Sequence, residues 1–94
     1  MRDLQEIRPE IDQVDKELVR LFQERMDLCK EVAEFKINTG KKVFDPEREE
    51  IKLKTVCALA ESEFYKQSTG ELFTQLMAMR RKLQYQILLG GGAD

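Results

Sequence analysis

Arg25 and Lys36 are the residues of this 94-residue chain whose types and spacing point most directly to chemistry. Counting from Leu4 in alternating steps of three and four gives Leu4, Ile7, Ile11, Val14, Leu18, Leu21, Arg25, Leu28, Val32 and Phe35: nine apolar positions and one arginine. That is the spacing of an apolar seam along a helix, with a permanent cation set into it. Lys36 follows Arg25 by eleven residues, three helical turns, and so points within roughly 20° of the same direction. One polar seam residue on its own can serve merely to fix helix register. Two cations on one inward face, with no carboxylate at a seam position between them, call for an anion from outside, because an unpaired buried charge is costly. Arginine grips a carboxylate through two parallel hydrogen bonds, so a small dianion is the natural ligand.

Further along, "FDPEREE" sets Asp45, Arg48 and Glu49 at a helix start, where free backbone N–H groups can receive a ligand oxygen. Asp45 reads equally well as an ordinary N-cap, and Glu47 and Glu50 as solvated charges. Near the C-terminus Arg80 and Gln84 share an inward face with Leu76 and Met77. A lone inward glutamine is usually a satisfied core amide; with the cations and Glu49 it completes a set of cations, a carboxylate and an amide donor. The chain has no histidine, which removes Ser-His and Cys-His nucleophile pairs and any imidazole base. Chemistry here must rest on carboxylate, lysine and arginine, or on binding a transition state without proton transfer.

Three helices are predicted to position these groups. The first runs from about Asp3 to about Asn38 and spans ~54 Å, with Pro9 near its start and "NTGKK" as its stop. The second opens with Asp45 as N-cap and Pro46 at its first position, and carries Ile51, Leu53, Val56, Leu59 and Ala60. "STGE", Ser68 to Glu71, reads as a capping box for the third, whose apolar stripe is Leu72, Phe73, Leu76, Met77, Leu83 and Ile87. The fold class is all-α, with a helical domain over 1–89 and a flexible Gly-rich tail over 90–94. Two shorter helices of one chain cannot cover a helix this long, so pairing of two first helices in a homodimer is expected.

A balance of 16 basic and 18 acidic residues gives no basic face for nucleic acid or anionic membrane. Cys29 and Cys57 stand far apart without a CxxC, against a zinc site or a secreted disulfide scaffold and in keeping with a reducing cytoplasm. No run approaches the ~20 apolar residues of a membrane span, and no signal-peptide core opens the chain.

Arg8, Arg25, Lys36, Asp45, Arg48, Glu49 and Gln84, at these spacings, closely resemble the all-α class of chorismate mutases. The likeness runs from "IRPEIDQVDKELVRLFQERMDLCKEVAEFK" through "FDPEREE" to "RRKLQ", nearly the whole chain. It implies an intertwined homodimer of three-helix chains with two equivalent sites, and conversion of chorismate to prephenate, on the way to phenylalanine and tyrosine, without cofactor or metal. It also implies that Arg25, with Arg8 of the other subunit, holds the two substrate carboxylates. Lys36 and Gln84 bind the ether oxygen, Glu49 and the backbone near Asp45 hold the ring hydroxyl, and Arg48 organises the site. The family usually carries a small polar residue, often serine, where this chain has Arg80, which adds a cation at the carboxylate end. Two other functions are compatible with the sequence: an isochorismate-pyruvate lyase on the same fold, and a non-catalytic regulatory or dimerisation module.

Overall fold

The computed structural model describes residues 1–90 and contains three helices, α1 (Leu4–Asn38), α2 (Pro46–Ala58) and α3 (Glu63–Leu88), with no strand among them. α3 packs on both α1 and α2, which do not contact each other. The molecule measures 57 × 30 × 15 Å with a radius of gyration of 16.6 Å, whereas a compact domain of this length would have one of about 12 Å.

Each helix starts on a side-chain cap. Asp3 accepts from the Glu6 N–H at 3.1 Å, Asp45 from the Arg48 N–H at 3.0 Å, and Ser62 from the Tyr65 N–H at 3.2 Å. The Asp45 cap is where the sequence places it, and α1 begins within one residue of its expected start. The third is a correction: α3 begins at Glu63, ahead of the Ser68–Glu71 motif, which lies inside the helix. Ser62 offers the same cap chemistry less than two turns earlier, and nothing at 68–70 stops a helix. Gly70, the one residue there of poor helix propensity, sits where α2 crosses closely: a Cβ added to it would lie 3.4 Å from Cys57 Sγ. α1 runs through Pro9 without interruption.

Past Lys36, α1 stops abruptly. Thr39 is its C-cap and Gly40 has φ +71°; the Gly40 N–H donates to the Ile37 carbonyl at 3.3 Å and the Lys41 N–H to the Lys36 carbonyl at 2.8 Å. These two bonds make a Schellman motif, which requires a left-handed residue at Gly40. Open space surrounds the position of a Cβ there, so Gly40→Ala brings backbone strain alone. We expect a loss of about 1 kcal/mol in stability; a urea midpoint unchanged from wild type would contradict this account of the turn.

The interior of one protomer is small. Cys29, Ala33, Val43 and Met77 form its buried apolar set, joined by one buried polar side chain, Gln84. On α1 the covered stripe is Arg25, Cys29, Ala33 and Lys36, at steps of four, four and three. Leu28, Val32 and Phe35 each precede a member of that stripe by one residue, about 100° round the helix, and are 55%, 40% and 59% exposed. Arg25 stands between the two sets: Val32 points within about 20° of it and Cys29 within about 40°. Leu4, Ile11, Val14, Leu18 and Leu21, nearer the N-terminus, are all at least half exposed as well.

Candidate active site

The α1 stripe and the inner face of α3 bring together four of the residues singled out by the sequence. Arg25 is half-buried; its guanidinium carbon lies 5.6 Å from the centre of the Phe73 ring on α3, and its Nη1 donates to Cys29 Sγ at 3.8 Å. Lys36 is half-buried three turns on. Among the described residues neither cation has a carboxylate within ion-pair distance. On α3 Arg80 and Gln84 stand one turn apart, and both present a buried donor with no acceptor: Arg80 Nε and Gln84 Nε2. Gln84 is only 4% exposed. Buried donors are nearly always paired in native proteins, and leaving one unpaired costs about 1–3 kcal/mol. Two orphan donors on α3, which packs on the helix carrying the two cations, are what a ligand rich in oxygen acceptors would satisfy.

Glu49 approaches from α2. It is half-buried and ion-paired through Oε1 to Nη1 of Arg81 on α3, and the Arg81 guanidinium lies 6.0 Å from the centre of the Phe44 ring. Asp45 and Arg48 lie at the exposed start of α2. The Asp45 carboxylate is engaged as the helix cap, so what α2 can offer a ligand there is backbone N–H rather than that side chain. Arg8 is exposed on the first turns of α1, about 25 Å along the axis from Arg25, and is not brought to the others within one protomer.

Lys36 and Glu49 fall in different grooves. A groove of about 510 Å3 on α1 is lined by Lys36 with Leu28, Val32 and Phe35, and a separate one of about 260 Å3 between α2 and α3 by Glu49, Arg81, Leu53 and Met77. Sequence reasoning missed Arg81 and the aromatic supports Phe44 and Phe73. Phe73 was legible as a member of the α3 stripe seven residues, two turns, before Arg80. The Arg81–Glu49 pair joins residues 32 apart, and nothing local announces it. Among the described residues no group of His, Cys, Asp and Glu could hold a metal ion, both cysteines are free, and no helix is long and apolar enough to cross a membrane.

Cations without a carboxylate partner among the described residues, orphan buried donors and one paired carboxylate on a three-helix chain are a set of groups suited to binding an anion. The family model described as chorismate mutase type II matches residues 7–85. A chorismate mutase from Methanocaldococcus jannaschii is 35% identical over 86 residues, covering 90% of this chain and 87% of that one. The bifunctional chorismate mutase/prephenate dehydratase of Aquifex aeolicus is 43% identical over 49 residues, 52% of this chain and 14% of that longer protein. Form II of the chorismate mutase from Thermus thermophilus superposes with a TM-score of 0.82 at 29% identity, covering 88% of this chain and 94% of that one. The chain belongs to the type II chorismate mutase family.

Proposed function

We infer that this chain is a chorismate mutase, an isomerase that converts chorismate to prephenate in phenylalanine and tyrosine biosynthesis. The observation that carries the reading is the pair of buried, unpartnered donors, Arg80 Nε and Gln84 Nε2, on the helix that packs against the one carrying Arg25 and Lys36, which have no carboxylate partner among the described residues. Chorismate is a dianion with an ether oxygen between its ring and its enolpyruvyl arm, and supplies the acceptors such a face lacks. In the [3,3] rearrangement the C–O bond breaks as a C–C bond forms, electron pairs shift around a six-membered ring, and no proton moves. A chain without histidine is suited to that.

As the C–O bond lengthens, the ether oxygen gains negative charge. A Lys36 ammonium and a Gln84 amide directed at it interact more strongly with the transition state than with the substrate, which is the condition for raising kcat. Arg25 holds a carboxylate and, with Arg8 of a second subunit, folds the extended arm over the ring, supplying orientation. Glu49 accepts from the ring hydroxyl beside the N–H groups at Asp45, Arg48 orders that end, and Arg80 adds a donor where carboxylate binds. Loss of chorismate absorbance with appearance of prephenate, using purified protein, tests the assignment. Turnover of isochorismate alone would make it a lyase, and turnover of neither would leave a binding or dimerisation module.

The working unit is a homodimer in a cytoplasmic setting. Eight large apolar side chains of α1 (Leu4, Ile11, Val14, Leu18, Leu21, Leu28, Val32 and Phe35) are 40–59% exposed along one helix, a patch of the kind that marks an interface. Covering the remainder of each is worth about 1 kcal/mol, so two protomers together gain on the order of 15 kcal/mol, enough to meet an association cost of about 4–15 kcal/mol. A two-fold dimer with antiparallel first helices lets Arg8 reach the partner's site. Arg8→Ala and Lys36→Ala, each nearly inactive alone, are therefore expected to complement when unfolded together, mixed equally and refolded. Half the dimers are mixed, and each mixed dimer holds one site with both native residues, so activity approaches about a quarter of wild type. A mixture as inactive as its parents, with subunit exchange verified, would remove Arg8 from the partner's site.

A further inference from the structure

We propose that Arg81 is a positioning residue for Glu49 and that it shields the bound dianion from the Glu49 charge. The proposal rests on the function inferred above and assigns a role to a residue outside the predicted set. Glu49 is the one carboxylate on the α2 rim drawn into the fold, its side chain 15% exposed. A fixed negative charge at the edge of a site for a dianion is a liability, because like charges repel across a partly desolvated gap. Arg81 meets that charge from the side. Its Nη1 takes Glu49 Oε1, while its guanidinium rests against the Phe44 ring. Its side chain is 42% exposed, at the outer rim of the α2–α3 groove.

Two consequences follow from the atoms engaged. The pairing is single-pronged, so Glu49 Oε2 remains available to accept from a hydroxyl, the donor that chorismate carries on its ring. The Arg81 guanidinium, committed to Glu49 and stacked on Phe44, is not needed at the carboxylate end, which Arg25 and Arg80 serve. Arg81 thus aims one oxygen and neutralises the group without itself binding substrate. The same contact ties α2 to α3, which fixes the rim against the helix carrying Gln84 three residues later.

The role predicts a separation that a merely structural ion pair does not. Arg81→Met should raise KM for chorismate roughly five- to tenfold at low ionic strength while kcat stays within about threefold. The difference should shrink by at least half in about 0.5 M salt, where exposed charges are screened within a few ångströms. Arg81→Lys, which keeps the charge, should restore most of the affinity. On a Glu49→Gln background, Arg81→Met should change KM less than twofold, because the charge to be shielded is gone. A KM for Arg81→Met within twofold of wild type overturns the proposal. So does a loss confined to kcat or to melting temperature, insensitive to salt and equally large on the Glu49→Gln background. The double variant also decides the matter if Arg81→Met alone is poorly folded, since it leaves no uncompensated carboxylate. Wild-type protein that does not turn over chorismate at all would remove the proposed function and this role together; wild-type turnover with an unperturbed Arg81→Met removes only the latter.

Discussion

Lys36→Ala is expected to lower kcat at least ~100-fold, the scale of losing one preorganised donor to a developing oxyanion, with a much smaller change in KM. The reasoning starts from placement. Lys36 lies in the last turn of α1, half-buried on the stripe that faces α3, and no carboxylate among the described residues pairs with it. An ammonium held there in the absence of a counter-ion is poised for charge that appears only during reaction. Its interaction with the ether oxygen is weak in bound chorismate and grows as the C–O bond lengthens, so its loss falls on kcat. Steady-state kinetics on a variant shown to be folded and dimeric provide the test. A kcat within threefold of wild type would place Lys36 outside the mechanism.

Arg25→Ala should cost roughly 3 kcal/mol or more in kcat/KM, about 150-fold, because it leaves a substrate carboxylate unpaired in a partly desolvated site. Two supports hold this side chain: the Phe73 ring at 5.6 Å and Cys29 Sγ at 3.8 Å. An aromatic face and a thiol orient a guanidinium without neutralising it, so its charge remains free for a ligand. Arg80 makes a useful contrast. Arg80→Ser installs the small polar residue usual in the family, and should shift kcat/KM by less than roughly tenfold, about 1.4 kcal/mol. Parallel measurement of both variants checks the ranking. If Arg80→Ser proves the more damaging, the carboxylate is held chiefly from α3 and the placement of Arg25 is wrong.

The parts of this molecule legible in its sequence are those governed by local physics. Asp45 followed by Pro46 is a helix start wherever it falls, and Gly40 after a long periodic stretch is a stop; both lie where expected. Arg25 and Lys36 were detectable as charges out of place in an apolar pattern, and their eleven-residue spacing sufficed to put them on one face. The start of α3 was misread because two cap motifs, at Ser62 and Ser68, compete within two turns, and the choice depends on how α3 lies against α2 at Gly70. Which face of α1 turns toward α3 was not legible in the seam. Most of the seam from Leu4 to Phe35 stays exposed while the stripe through Cys29 and Ala33 is buried, and a single repeat cannot describe both. Arg81 escaped notice because a surface arginine beside Arg80 is unremarkable until Glu49 arrives from another helix.

That α1 and α2 each touch α3 and not one another also governs the order in which this protein can come into being. While the ribosome is making everything before Glu63, the emerging polypeptide owns two helices with nothing to dock on. The longer of them displays an uncovered apolar strip to whatever is near. Isolated helices are marginal in water, and exposed apolar surface of this kind is what chaperones bind and what drives misassembly. Only when α3 leaves the exit tunnel does either of the earlier ones acquire a neighbour within the chain, and with it the helix carrying Gln84 packs against those carrying Lys36 and Glu49. Synthesis from the N-terminus thus delays the assembly of the cationic face until the final third of the chain has been translated.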